Sequence, residues 1–428
     1  MKIGQVSRRY GISRDNLYYY INYGLLVPPR RNNQYVFDDD TLQDLEWILE
    51  LKNMEYSLAE IHRILSLRRI SGLENPRDRA DLREIYSAKR DECARKIRHY
   101  EAVIRDLDSR IVELSSAGSE TPAHTGVPLR MLDLLCCPRC GRELTIGDVT
   151  MDMKYIYDGS LYCDCGYEAH IDDGILITPN GYAGETDTPD LDRDLYKDLP
   201  SSLISLFQRS YNNMKKDLSE IDLSGRVVME TYINAWFFLH NHQQYFSPHG
   251  FYIVVDKFPE MLRMYKTLIE QENYSLPILY LADSSTDYPL KKGIVDLNLD
   301  FFAVNEHLFY HDDFLLDRLS PYLKADGRIL GTWFYFKNGQ RSMKLLKQEY
   351  PESSPNNFSL PWFRQQLARS GFALDRSQVC GHTTDSGNNL GFGFHVTGDE
   401  MYLMTYLGHR EQHPRRAVSK SAPRQDIE

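Results

Sequence analysis

Apolar positions fall at helical spacing through the first 115 residues and in strand-length runs beyond residue 225, which predicts a helical front and an α/β back. Ile3 and Val6 begin a short amphipathic helix that Gly11 ends. Ser13 is a good N-cap for a second helix, with Leu17 and Ile21 facing inward. Gly24 stops that helix, and Pro28-Pro29 forbids another at once. The extended run Asn33–Phe37 after Arg30-Arg31 is expected to form a small wing. Leu42, Leu45, Ile48 and Leu49 mark one face of a further helix, opened by Asp38–Asp40 where the helix dipole favours acids. Residues 79–115 contain no Pro or Gly. Ile97, Ile104 and Ile111 repeat every seven residues, as do Tyr100, Leu107 and Leu114. Such a seam serves either a coiled-coil dimer or packing on its own chain, and the charges crowding the other positions favour the coil.

In the back half, Arg226–Glu230, Phe251–Val255, Pro277–Ala282, Ile294–Asp300 and Arg328–Phe336 are expected strands. A helix over Asp312–Lys324 and an Ala325-Asp326-Gly327 turn are expected between the last two. Strands alternating with helices imply a parallel, doubly wound sheet that binds ligands at the strands' carboxyl ends. Glu230, Asp256 and Asp283 end the first three strands and are candidate ligand acids. Capping of helices is the equal alternative for each.

The totals sharpen this picture. A chain of 428 residues predicts two or three domains, and without an 18-residue apolar stretch or a signal peptide it is expected to be cytoplasmic and free of membrane contact. A net charge of −11 argues against nucleic acid, but residues 1–37 hold six Lys/Arg against one acid, a local +5. Two short helices joined by a Gly turn make a helix-turn-helix, whose second member can enter a major groove. Arg14, Asn16 and Tyr18 point outward there, toward base edges and phosphates. Cys137-x-x-Cys140-Gly and Cys163-x-Cys165-Gly let four thiolates meet tetrahedrally, as structural zinc requires. The single spacer in the second knuckle means either strain there or an altered ligand, with Cys136 a spare thiol; buried free cysteines are the plain alternative.

These residues carry three resemblances. Leu17-Tyr18-Tyr19-Tyr20, Gly24-Leu25-Leu26-Val27-Pro28, Tyr35-Val36-Phe37 and Ser57–Leu65 (Ser-Leu-Ala-Glu-Ile-His-Arg-Ile-Leu) resemble the N-terminal domain of the MerR family of bacterial transcription regulators. The resemblance implies DNA contacts from Arg8, Ser13, Arg14, Asn16, Tyr18, Tyr19, Arg30, Arg31 and Tyr35, an antiparallel homodimer through residues 79–115, and action on RNA polymerase at a promoter. Tyr18 and Val36 stand where the family usually has arginines, which implies fewer phosphate contacts. Leu-Leu-Cys-Cys-Pro-Arg-Cys-Gly and Cys-Asp-Cys-Gly-Tyr-Glu-Ala-His resemble the zinc ribbon ahead of some bacterial rRNA guanine methyltransferases. In them a class I S-adenosylmethionine-dependent methyltransferase domain follows. The resemblance implies that Asp256 meets a cofactor ribose and Asp283 the adenine side, and Leu323–Gly327 resembles a family turn. The departure is Glu230-Thr-Tyr-Ile-Asn-Ala-Trp, which lacks the Gly-rich cofactor turn and puts Tyr232 and Trp236 there.

The expected chain is therefore multidomain: a winged helix-turn-helix (1–75) and coiled-coil helix (76–116), all-α apart from the wing. A linker (117–130), a small zinc ribbon (131–180), an α/β doubly wound, Rossmann-like methyltransferase-like domain (181–407) and a disordered tail (408–428) follow. The expected function is a dimeric regulator of double-stranded promoter DNA. Its zinc ribbon and degenerate methyltransferase-like domain would sense a ligand, S-adenosylmethionine or a relative, and reset promoter geometry. The alternative is an active methyltransferase that recognises nucleic acid through its head; the missing Gly turn weighs against an enzyme.

Overall fold

The computed structural model describes residues 1–116, 124–184, 187–193, 199–234, 236–272, 276–387 and 390–411. The chain forms two compact units, Met1–Ala117 and Gly118–Glu428. The expected linker residues 117–123 and tail residues 412–428 lie outside the described residues.

In the first unit, α1 (Ile3–Tyr10) ends at Gly11, whose φ of 66° a side-chain-bearing residue resists. α2 (Arg14–Asn22) is capped by Ser13, whose side chain accepts the Asn16 N–H at 3.1 Å. Such a cap contributes about 1 kcal/mol. Strands β1 (Arg30–Arg31) and β2 (Gln34–Tyr35) pair antiparallel around Asn32-Asn33, both at positive φ, which makes the wing. α3 (Asp39–Asn53) and α4 (Leu58–Ser71) follow, the latter opened by a Ser57/Glu60 capping box. Val6, Leu17, Tyr20, Leu45, Ile48 and Ile61 close the small core. The helix α5 (Pro76–Ser116) is 41 residues long.

The second unit opens with β3 (Val127–Pro128), β4 (Thr145–Met151), β5 (Tyr155–Cys163), β6 (Tyr167–Asp172) and β7 (Ile175–Ile177). After α6 (Ser201–Ser219) come β8 (Val227–Thr231), α7 (Phe238–Asn241), β9 (Phe251–Asp256), α8 (Pro259–Gln271), β10 (Ile278–Ala282) and β11 (Val295–Asp300). The unit finishes with α9 (Ala303–His307), α10 (Leu315–Leu319), β12 (Leu323–Phe336), α11 (Gln340–Glu349), α12 (Leu360–Arg369), β13 (Phe372–Thr383) and β14 (Met401–Arg410). Their order in the sheet is β10-β9-β8-β11-β12-β14-β13, with β14 antiparallel between β12 and β13. β8 to β12 are mutually parallel, so the order reverses beside β8, a doubly wound, Rossmann-like sheet. The sheet does not stop at β10. β7 pairs parallel with it, and β6, β5 and β4 continue outward as an antiparallel ribbon. Tyr167, Ile171 and Leu176 of the ribbon share one apolar cluster with Met229, Leu279 and Trp333.

Three local expectations need correcting. The α-helix expected over Asp312–Lys324 is only α10 followed by a 3₁₀ turn over Ser320–Tyr322, because Pro321 interrupts it. Ala325-Asp326-Gly327 is no separate turn: it lies within β12, whose pairing with β11 jumps from Leu323 to Arg328 while β11 advances from Val295 to Leu297. The intervening residues bulge out. Finally, β3 takes two residues assigned to the linker, and β14 reaches Arg410 into the stretch expected as tail.

Candidate functional site

Three places concentrate chemistry. On the head, Arg14, Asn16, Tyr18 and Tyr19 are exposed along α2. Tyr18 meets Tyr35 of the wing edge-on, ring centroids 6.2 Å apart, and the Arg30 guanidinium lies 4.4 Å over the Tyr35 ring while donating to its hydroxyl. Helix and wing thus join through an aromatic contact. Arg8 and Arg31 are exposed nearby in the chain, and Ser13 serves as the cap. Arg69, which carries no motif of its own, donates to the Leu25 carbonyl at 2.5 Å and to Asp44 at 2.6 Å. It fixes the turn after α2 to α3.

In the ribbon, the sulfurs of Cys137, Cys140, Cys163 and Cys165 all lie within 4.8 Å of one another. Cys137 and Cys165 are 3.4 Å apart, as are Cys140 and Cys163. A tetrahedral zinc with bonds of about 2.3 Å needs slightly wider gaps, so the four fit such an ion with small adjustment. The short second knuckle is not a strained version of the first. Cys163 ends β5 and pairs with Tyr167 across a tight turn closed by Gly166 at φ 83°. Cys165 lies within that turn, which curls its thiol back to within 4.8 Å of the Cys163 sulfur, so one spacer suffices. Backbone and side-chain donors of Arg142 hold the Cys140 thiol down at about 6. Cys136 is buried beside the cluster and outside it, its thiol pushed up by burial.

At the carboxyl ends of β8, β9 and β10 lies a cavity of ≈ 450 Å³ lined by Tyr232, Asp256, Lys257, Asp283 and Ser285, among others. Asp256 and Asp283 are thus brought together, while Glu230 is not. Glu230 is buried and accepts the Phe238 and Leu239 N–H groups at 2.6 and 3.0 Å, capping α7; burial raises it to about 8. Asp256 accepts from the Asn234 and Phe258 N–H groups at 2.9 and 3.0 Å, and burial lifts it to about 6. Asp283 accepts from Thr178, Asn180 and Ser285. All three acids are therefore committed to their own chain. Tyr232 stands at φ 60° where a glycine would be unstrained, its hydroxyl 2.7 Å from His307 Nδ1. His307, His311 and Asp313 could also gather around a metal ion. Both His307 nitrogens, however, are engaged, by Tyr232 and by Asp313 at 2.7 Å. Trp236 faces a second cavity, beyond Phe302.

Residues 1–67 match the MerR HTH family regulatory protein family. Over 73 residues the chain is 34% identical to the HTH-type transcriptional regulator ZntR homolog of Haemophilus influenzae, covering 17% of this chain and 54% of that protein. It therefore spans about half the length of that relative. Over 109 residues it is 29% identical to the HTH-type transcriptional regulator HmrR of Rhizobium leguminosarum, covering 25% of this chain and 81% of that one. Solved structures similar to the second unit include S-adenosylmethionine-dependent methyltransferases. Phosphoethanolamine N-methyltransferase 2 of Haemonchus contortus, in complex with S-adenosyl-L-methionine, is 15% identical over 61% of this chain and 64% of that one, with a TM-score of 0.38. Strand order, rather than this likeness, carries the fold assignment. The first 67 residues match that family model and fold as a helix-turn-helix with a wing; a long helix and a unit built on a doubly wound, Rossmann-like sheet follow in the chain. Among the described residues no helix is long and apolar enough to cross a membrane.

Proposed function

We propose that the chain is a dimeric regulator that binds double-stranded promoter DNA through its first unit and senses a small molecule in its second. The observation that carries this reading is the exposed row Arg14, Asn16 and Tyr18 on α2, joined to the basic Arg30-Arg31 wing by the Tyr18–Tyr35 contact. A recognition helix with a wing beside it can meet bases and phosphates together. Dimerisation would use α5, where Ile97, Tyr100, Ile104, Leu107, Ile111 and Leu114 are 56–80% exposed at heptad spacing. Zinc held by the four thiolates would be structural, since no ligand position is left open. Two heads at fixed spacing would hold the promoter distorted for RNA polymerase, at a deformation cost of about a few kcal/mol. Sensing suits the second unit better than catalysis, because Tyr232 fills the cofactor turn and the strand-end acids already have partners. A ligand then needs only to bind two states unequally.

The test is binding of the full-length protein to a duplex selected from a random library. Arg14→Ala should weaken binding and lower the salt slope by about one, and Tyr18→Ala should weaken it further, with the dimer intact in both. Unchanged affinity in the double variant would remove the groove assignment. The second reading, a methyltransferase acting on nucleic acid, draws support from the strand order and from a cavity at the β8–β10 ends. Methyl transfer from labelled S-adenosylmethionine to DNA or RNA would establish it.

A further inference from the structure

The second cavity is the chemically most distinctive surface of the chain. It measures ≈ 570 Å³, inside the range of small-molecule sites, about 300–1,000 Å³. Among its described lining residues ten of twenty are aromatic, four are acidic and none is basic. The aromatic wall is continuous: Phe207 and Trp236 have centroids 4.6 Å apart, and Phe302 and Phe334 stack at 4.7 Å. Ring faces attract positive charge, and more so out of water.

The acids differ in what they have left to offer. Asp187 is ion-paired with Lys257, and Asp190 lies 3.8 Å from Arg193. Lys257 is spent, set over Tyr310 at 4.4 Å and Tyr182 at 4.7 Å. Glu306, half-buried on α9, faces the cavity with no hydrogen-bond or ion-pair partner among the described residues. A carboxylate in that setting is unfavourable unless something positive completes it. Resting on the sensor reading above, we propose that this cavity binds an organic cation with an apolar body, a tertiary or quaternary amine held against the aromatic wall with its charge toward Glu306. Burial first, then Asp187 and Asp256, hold Glu306 up at about 7 against the pull of Lys257, with Tyr232, Tyr310 and Tyr350 also within its field.

Calorimetry on the full-length protein with 4-phenylbutyl-trimethylammonium, its neutral isostere carrying carbon in place of nitrogen, and 4-phenylbutylsulfonate tests the assignment. The cation should bind at least about tenfold tighter than the isostere, and the sulfonate weakest. Glu306→Gln should bring the first ratio near one while the isostere's affinity and the thermal midpoint hold. Trp236→Leu should weaken cation and isostere together. Equal binding of cation and isostere, preference for the sulfonate, or no binding of any probe to the folded protein would overturn the proposal. DNA affinity is measured separately with and without the cation. A cation that binds with the expected ratio yet leaves DNA affinity unchanged refutes the sensor while the ligand class stands.

Discussion

The Tyr232 hydroxyl lies 2.7 Å from Nδ1 of His307, and Nε2 of that imidazole lies 2.7 Å from the Asp313 carboxylate. This chain ties the turn after the first parallel strand to α9 and the loop beyond it. It also holds a bulky residue in a left-handed conformation that costs about 1–2 kcal/mol. A strained tyrosine is kept where glycine would be easy, and its side chain lines the cavity at the ends of β8–β10.

Replacing that side chain tests whether it is what shuts the cavity. Tyr232→Gly should raise the affinity for S-adenosylhomocysteine at least about tenfold by calorimetry, worth about 1.4 kcal/mol. Tyr232→Phe keeps the ring, loses the hydrogen bond, and should lower stability by about 1 kcal/mol with no gain in binding. Equal, weak binding in all three would mean that the spent acids, rather than the ring, exclude the ligand.

Stability should depend on pH through His307. Burial lowers it from 6.5 to about 4, with Asp313 opposing and His311 assisting. The unfolded chain then binds the extra proton between those values, so stability is fully present above about 6.5 and falls as pH drops toward 4, by up to about 3 kcal/mol. The raised carboxyls of Glu230, Asp256 and Glu306 act in the opposite sense over the same range. The His307 contribution is therefore read as the difference between denaturant titrations of the wild type and of His307→Gln from about pH 7.5 to 4, the wild type losing more stability than the variant as pH falls.

Metal content should be one zinc per chain. Cys165→Ser should abolish it, and a chelator should lower the Tm of the second unit while the helical head keeps its own transition. Cys136→Ser should leave zinc content unchanged, since its thiol stands outside the cluster.

Breaking the heptad row should break the dimer. Ile104→Glu with Leu107→Lys is expected to give a monomer by sedimentation equilibrium, with α5 still helical and DNA affinity lowered at least about tenfold by loss of the second head.

Local signals made much of this fold legible. Ser13, Gly11 and Gly24 set the head's helix boundaries, because caps and left-handed glycines act within a few residues. The strand ends at Asp256, Asp283 and Asp300 were readable as apolar runs closed by an acid. Less visible was where each acid's oxygens go: Glu230 caps a helix eight residues on, and Asp283 takes donors from Thr178 and Asn180 over a hundred residues away. Glu306 and Lys257 carry no local motif at all. The aromatic cavity gathers Phe207, Trp236, Phe302, Phe334 and Phe392 from well-separated stretches, and only the crossover topology brings them to one face.

The pairing of β7 with β10 has a consequence of its own. Without it, the buried apolar strand β10 would end the sheet with a row of open amides, a template for aggregation. The ribbon carries that rim outward to β4, whose pairing with β5 is broken by two register shifts, as the opposite rim β13 is by two of its own. Irregular edges of this kind are poor docking strips for a second molecule. If the four thiolates hold zinc, its removal would do more than loosen a hairpin: it would uncover a sticky margin, and metal-starved protein should be lost to inclusion bodies before it is lost to unfolding.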